Sequence, residues 1–183
     1  MDFRGFDKVG LDSSAFIALV GCPSNLEDFK AKFYSVKEIF YYASISQKEF
    51  MGVLINRHFF DATEVRESWK RISNELNLNL ISWNDKNRGP YKNKVKAANN
   101  FLVKQENNES LRIGKPDLEI IASFLKEGIK KAYTLDRAFA KTCEILGIKI
   151  NNLPEEYAKK IVEIRRINEK IFKKNEFGDD KNG

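Results

Sequence analysis

The chain has 183 residues, a length typical of one domain, and 42% of them are hydrophobic, which is enough for a packed core. This content excludes a wholly disordered chain, and the net charge of +6 favours a polyanionic partner. Two distant cysteines and one histidine exclude a disulfide framework, a zinc knuckle and catalysis by a pair of histidines. A charged N-terminus without an apolar signal segment, and the lack of about 18 apolar residues in a row, predict a cytoplasmic protein with no membrane span.

The first half of the sequence predicts strands that alternate with helices. Val9–Leu11 is a short apolar run followed by a polar turn, which is typical of a buried strand that leads into a helix. From Leu26, apolar residues recur every three or four positions and predict one amphipathic helix as far as Phe40. The other predicted elements are a helix at Ala15–Val20, an aromatic strand at Tyr41–Ile45, a helix that opens at Ser46, a helix at Val65–Leu76 and a peripheral strand at Leu78–Trp83.

The second half continues the alternation after a loop of turn residues. The predicted elements are a helix at Lys92–Gln105 with Val95, Ala98, Phe101 and Leu102 inward, a helix from Asp117 to Gly128, a strand at Ala132–Leu135, a helix to Leu146, a strand at Ile148–Ile150 and a basic helix at Glu155–Lys174. Strands separated by helices predict an α/β fold with three layers, α/β/α, around a central parallel sheet. We expect a domain over 1–153, a C-terminal basic helix over 154–174 and a flexible tail over 175–183.

Four carboxylates are expected at one edge of this sheet. Asp12 and Asp136 each follow a strand, and the carboxyl ends of parallel strands lie on the same edge. Glu49 and Asp117 sit in the opening turns of helices that can begin near that edge. Clustered carboxylates repel one another unless cations neutralise them, and oxygen donors without histidine or cysteine suit Mg²⁺ or Mn²⁺. The pattern predicts a hard-cation site suited to phosphodiester chemistry.

Each acid also has a purely structural interpretation. Glu49 completes a capping box with Ser46. Asp117 follows a proline at a helix start, where an acid complements the helix dipole. Asp12 and Asp136 can each cap the helix that follows them. The order of the four acids along the chain favours the functional interpretation.

The segments that carry these acids resemble the motifs of PIN-domain nucleases. The segments concerned are Val9–Ile17, Ser46–Leu54, Pro116–Ser123, Tyr133–Phe139 and the Leu-Gly-Ile ending at Leu146–Ile148. The resemblance implies a divalent-metal endonuclease, usually acting on RNA, in which a metal-activated water leaves a 5′-phosphate and a 3′-hydroxyl. The implied metal ligands and catalytic residues are Asp12, Glu49, Asp117 and Asp136. The implied supporting hydroxyls are Ser13, Ser14 and Thr134.

The sequence departs from the PIN pattern after its last acid. Many relatives carry a further acid there, whereas Arg137, Ala138 and Phe139 follow Asp136 in this chain. Glu119 is the candidate substitute, and the departure leaves a catalytically weak RNA-binding or scaffold module as the alternative function. PIN nucleases process RNA or act as toxins of toxin–antitoxin pairs, so the expected partners are RNA, an antitoxin protein or a second copy of the chain. The resemblance extends faintly to RNA-free ribonuclease P proteins and to ribosome-maturation endonucleases.

The segment Lys86–Lys104 is the expected RNA-binding surface, because it holds six basic residues and no acid. Basic side chains neutralise phosphates, and an exposed aromatic ring can stack on a base. The residues expected to contact RNA are Lys86, Arg88, Tyr91, Lys92, Lys94 and Lys96. A solvated helix face is the plain alternative, and the basic helix at Lys159–Lys174 is a rival surface.

Four conspicuous side chains are expected to have only structural roles. Trp69 lies on the apolar stripe of a helix and is predicted to be in the core. His58 is expected at the surface or as a helix cap. Cys22 and Cys143 are expected to be small buried hydrophobic residues.

Overall fold

The computed structural model describes residues 6–35, 37–81 and 89–177. The strands are β1 (Asp7–Leu11), β2 (Glu38–Ala43), β3 (Asn79–Ile81), β4 (Lys131–Thr134) and β5 (Lys149–Asn152). The helices are α1 (Ser13–Val20), α2 (Pro23–Phe33), α3 (Ser44–His58), α4 (Ala62–Glu75), α5 (Gly89–Glu106), α6 (Lys115–Glu127), α7 (Arg137–Ile145) and α8 (Glu155–Phe177). A 3-10 turn, Glu109–Leu111, precedes α6. No helix in the described ranges is long and apolar enough to cross a membrane.

The strands form one parallel sheet in the order β3-β2-β1-β4-β5, which confirms the predicted α/β class. The central strand β1 pairs with β2 on one side and with β4 on the other. The chain order therefore reverses between β1 and β4. In open parallel sheets, functional groups gather at the carboxyl ends of the strands beside such a reversal. Asp12 and Asp136 follow these two strands.

Side chains of β1 alternate between two buried clusters and so define the layers. Val9 and Leu11 belong to a cluster with residues of α1, α2, α4 and α8. Gly10 faces the second cluster, where Phe124 of α6 packs. Trp69 is only 8% exposed, and its ring contacts that of Phe16 edge-on at 5.1 Å between centroids. Its predicted place in the core is confirmed.

The predicted helix from Leu26 to Phe40 is wrong in its second half. α2 ends at Phe33, and Phe40 lies inside β2. Phe40 extends the helical spacing by coincidence, because it reaches the same cluster from a strand and packs on Phe29 with ring centroids 5.9 Å apart. The strand β2 therefore begins at Glu38, three residues before the predicted start at Tyr41. The next helix, α3, begins at Ser44, two residues before the predicted start at Ser46.

The helix α5 buries a different side chain from the one predicted, and α8 is buried only near its start. On α5, Phe101 is 58% exposed, whereas Asn99 is buried because its amide is hydrogen-bonded. On α8, Tyr157 and Ile161 are buried against the first cluster, but Ile171 near the far end is 55% exposed.

The remaining structural expectations have mixed outcomes. Cys22 and Cys143 are buried as expected. His58 is the last residue of α3 and is half-buried, and no described group is a hydrogen-bond partner for its buried Nδ1 atom. β4 and β5 differ from the predicted strands by one or two residues at their ends, and β3 begins one residue later than predicted. Ser82 and Trp83, the last two residues of the predicted third strand, lie outside the described residues.

Gly10 allows the close approach of α6 to the central strand, which gives a prediction. A Cβ at this position would lie 2.5 Å from the ring of Phe124, closer than real contacts allow. We expect Gly10→Ala to lower the free energy of unfolding by about 1–3 kcal/mol through overpacking. Gly52→Ala is the control, because its Cβ would meet nothing closer than 3.9 Å and alanine favours a helix interior by about 0.5–1 kcal/mol. Urea denaturation checks both variants, and equal stability of the two would contradict the packing argument.

Candidate active site

Asp12 lies at the floor of the candidate site and is 2% exposed. Its carboxylate caps α1 by accepting from the amide of Ala15 at 2.7 Å. The hydroxyl of Thr134 donates to Oδ2 at 2.7 Å, and that of Ser14 lies 2.9 Å from both oxygens. Burial, with a smaller contribution from the charge of Asp136, outweighs these hydrogen bonds, which lower the pKa, and raises the pKa of Asp12 to about 6.

Ser14 and Thr134 join the ends of β1 and β4 around this carboxylate. The Ser14 oxygen accepts from the amide of Leu135 at 2.8 Å, and the Thr134 oxygen accepts from the amide of Asp136 at 2.9 Å. Each hydroxyl therefore donates to the carboxylate of Asp12 and also accepts from a backbone amide of the turn that carries Asp136. This arrangement fixes the separation of the two strand-end acids.

Glu49 projects from α3 towards the same edge. The hydroxyl of Ser13 donates to Glu49 Oε2 at 2.5 Å. The capping-box interpretation is wrong, because α3 begins at Ser44 with Ala43 as its N-cap, and Ser46 is already inside the helix. Glu49 lies in the second turn, where no free backbone amide needs its side chain. Its hydrogen-bond partner is instead the residue next to Asp12.

Asp117 lies in the first turn of α6 and is half-buried. Its Oδ2 accepts a long hydrogen bond, 3.4 Å, from the amide of Gly114. Burial, together with the charges of Glu49, Asp136 and Asp12, raises the pKa of Asp117 to about 7. The fold therefore brings all four acids within electrostatic range of one another. The helix-start interpretation of Asp117 holds as well, since the two roles do not exclude each other.

Asp136 is the exposed member of the group. It caps α7 by accepting from the amide of Phe139 at 2.7 Å. The cap uses Oδ1 and leaves Oδ2 available to another ligand. Asp12 and Asp136 are thus helix caps and members of the acid cluster at once.

The donor chemistry of this edge fits a hard divalent cation. The four acids offer only carboxylate oxygens, which Mg²⁺ and Mn²⁺ prefer. Cys143 of α7 is buried, and burial together with the charges of Asp12 and Asp117 raises the pKa of its thiol.

The acids do not form a closed coordination shell. In the described part of the chain, no group of three or more His, Cys, Asp or Glu side chains is arranged to hold a metal ion as it stands. A cation would have to draw the carboxylates inward, and the mutual repulsion felt at Asp117 is the force that it would relieve.

Glu119 does not join the acid cluster. Lys92 of α5 donates to its Oε1 at 2.9 Å, and both side chains are largely buried. The charge of Glu119 is not among those that raise the pKa of Asp117. The expectation that Glu119 replaces the missing family acid therefore has no support in this geometry.

The predicted RNA-binding residues are only partly exposed. Tyr91 is half-buried and packs against the second core cluster, so the exposed ring expected from the sequence is wrong. Lys92 is paired with Glu119, whereas Lys94 and Lys96 are exposed on α5. Lys86 and Arg88 lie outside the described residues.

Comparison with known proteins supports the fold. No family model and no curated protein sequence matches the chain. The structure of VapBC2 from Rickettsia felis bound to a DNA fragment from their promoter matches with a TM-score of 0.50 and 12% identity, covering 80% of this chain and 99% of the other. DNA-bound VapBC from Salmonella typhimurium matches with a TM-score of 0.47 and 16% identity, covering 80% and 98%. The first likeness confirms the expected PIN-like α/β fold and, at such low identity, no more than the fold.

The raised acid pKa values give a prediction about stability without metal. A carboxyl whose pKa is higher in the folded than in the unfolded chain binds protons more tightly when folded, so stability falls as pH rises between the two values. For Asp117 this window runs from the ordinary 3.8 to about 7. In chelator, we expect the wild type to lose on the order of 2 kcal/mol between pH 5 and pH 8, and Asp117→Asn to lose much less and to be the more stable protein at pH 8.

Asp61→Asn is the control for this pH effect. Asp61 caps α4, and the amides of Glu64 and Thr63 lower its pKa, so its contribution is constant between pH 5 and pH 8. Urea unfolding of the three proteins at both pH values makes the measurement. A pH dependence in Asp117→Asn equal to that of the wild type would contradict the raised pKa of Asp117.

Proposed function

We propose that the protein is a divalent-metal-dependent endoribonuclease, and the convergence of Asp12, Glu49, Asp117 and Asp136 carries this proposal. The four acids meet where the strand order reverses, and the fold is PIN-like. These residues would hold Mg²⁺ or Mn²⁺. When bound, such an ion supplies an activated water and neutralises charge on the phosphate, for hydrolysis that leaves 5′-phosphate and 3′-hydroxyl ends.

The chain's own residues prepare the site by fixing the carboxylates. Ser13 orients Glu49, and Ser14 with Thr134 holds Asp12. Restricting these side chains before the substrate arrives lowers the cost of organising the site. Asp136 is the most exposed acid and would face the incoming RNA.

The RNA surface that we propose lies along α5. Lys94 and Lys96 are exposed there, and α5 packs against α6, the helix that carries Asp117. Lys86 and Arg88 precede this helix in sequence and add two positive charges to the same stretch. Lys92 and Tyr91 have smaller parts in this surface than the sequence suggests, because each already packs within the protein.

A second candidate function is RNA binding or scaffolding with little turnover. Arg137, Ala138 and Phe139 stand where many PIN nucleases have another acid, and Glu119 is held by Lys92. A site with one metal position fewer would bind RNA and cleave it slowly. Cleavage of a generic RNA with Mn²⁺ separates this candidate from the first.

The biological setting that we propose is cytoplasmic RNA processing or toxin action within a toxin–antitoxin pair. The VapBC2 structure that shares the fold is bound to a DNA fragment from their promoter. An antitoxin protein or a second copy of this chain is the corresponding partner. Co-expression with the product of an adjacent reading frame, followed by size-exclusion chromatography, tests both.

The acids give the central prediction of this proposal. Asp136→Asn should abolish RNA cleavage and keep the fold, because asparagine can still cap α7 through its side-chain oxygen. Mg²⁺ or Mn²⁺ should support cleavage, Ca²⁺ should bind but support little, and chelator should stop it.

Glu119→Gln is the matched control, since it removes a carboxylate close in sequence to Asp117 but outside the cluster. Cleavage is followed on end-labelled RNA. Wild-type rates in both Asp12→Asn and Asp136→Asn, or activity specific to zinc, would refute the assigned site.

The proposed RNA surface gives a second prediction. Replacing Lys94 and Lys96 by alanine should weaken RNA binding regardless of sequence, and should reduce the log–log salt dependence by about 0.7 for each phosphate that is no longer neutralised. Lys159 and Lys170, two exposed lysines of α8, form the matched control pair on the rival surface. Filter binding at several salt concentrations makes the comparison, and a larger effect in the α8 pair would move the RNA to that helix.

A further inference from the structure

A buried amide connects the segments that carry two of the acids. Asn99 lies on α5 and is 4% exposed. Its nitrogen donates to the carbonyl of Leu111 at 2.8 Å and to the hydroxyl of Thr142 at 3.0 Å, and its oxygen accepts from the amide of Ile113 at 3.3 Å. Three of the four hydrogen bonds available to a primary amide are made, so the position and orientation of this side chain are fixed.

Two of these partners belong to the segment that leads into α6. Leu111 is 2% exposed and packs with Leu102 and Val103 of α5 in a small separate cluster. The residue after Ile113 is Gly114, whose amide donates to the carboxylate of Asp117. Asn99 therefore fixes the backbone that holds Asp117 at the start of its helix.

The third partner belongs to the helix that Asp136 caps. Thr142 is fully buried on α7, and its hydroxyl donates to the carbonyl of Ala138 at 2.8 Å while it accepts from Asn99. The side-chain amide of Asn99 is therefore hydrogen-bonded to α7, the helix whose N-cap is Asp136. A shift of α7 relative to α6 would break one of these hydrogen bonds.

We propose that Asn99 is a positioning residue that sets the separation between Asp117 and Asp136. The inference rests on the proposed function, since it concerns how these two acids are placed for a cation. An apolar side chain would fill the same space, but it would not fix two segments in direction as well as distance. Since Asn99 is on α5, the same amide ties the proposed RNA surface to the acids in one rigid unit.

The test compares Asn99→Leu with Asn25→Leu. Asn25 is the matched control because it is also a fully buried amide, donating to the carbonyls of Ala18 and Tyr157 on the other side of the sheet. Both variants should lose thermal stability. Only Asn99→Leu should also raise the Mn²⁺ midpoint for thermal stabilisation and lower kcat, by about ten-fold each, with KM for RNA little changed. This is the low end of the effect of losing an outer-shell partner, because Asn99 acts on the backbone segments that carry the acids and touches none of the acids itself.

Thr142→Val and Thr142→Ser test the same link with a smaller change. Valine removes the acceptor for Asn99 and should shift the Mn²⁺ midpoint in the same direction, whereas serine keeps the hydroxyl and should restore the wild-type value. This pair decides the matter if Asn99→Leu does not fold.

Asp117→Asn separates a failure of this inference from a failure of the proposed function. If Asp117→Asn responds to Mn²⁺ as the wild type does, the acids are not the metal site and the proposed function fails. If Asp117→Asn loses the response but Asn99→Leu and Thr142→Val keep the Mn²⁺ midpoint of Asn25→Leu, the positioning role is overturned and Asn99 is only structural.

Discussion

The buried carboxylate of Asp12 is the constraint on which the rest of the site depends. A carboxylate that is 2% exposed at the end of a central strand is costly unless hydrogen bonds compensate it. Ala15 and Ser14, in the first turn of the helix that follows β1, and Thr134, the last residue of β4, supply those bonds. Satisfying one acid in this way fixes the geometry of β1 and β4, and with it the position of Asp136.

The other acids add repulsion to that frame. Asp117 has its pKa raised to about 7 by burial and by the charges of its neighbours. Such a cluster lowers the stability of the metal-free protein, which is the usual compromise at sites selected for binding instead of stability. The hydroxyl contacts of Ser13 and Thr134 offset part of the repulsion without neutralising it, so a cation keeps a favourable place to bind.

The fold class and the convergence of the acids could be predicted because both depend on chain order. Alternating strands and helices predict a parallel sheet, and residues after its strands must meet at one edge. The error at Phe40 arose because a 3.6-residue spacing can continue by chance into a strand that faces the same core. The predictions of an exposed Tyr91 ring and of Glu119 as a substitute acid were wrong for a different reason. The packing of α5 against α6 determines the surroundings of both side chains, and no local sequence pattern indicates that contact.

The number of basic residues in a sequence segment overstates the positive charge that the segment presents to a ligand at the surface. The basic run from Lys86 to Lys104 contains no acid, yet Lys92 reaches across to Glu119 of the next helix. The same ion pair keeps Glu119 out of the acid cluster. One contact therefore removes a cation from the proposed RNA surface and a carboxylate from the candidate metal site. Because α5 lies against α6, pairing of their facing side chains leaves the outer lysines, Lys94, Lys96 and Lys104, as the charges of α5 that face solvent and can meet a phosphate backbone.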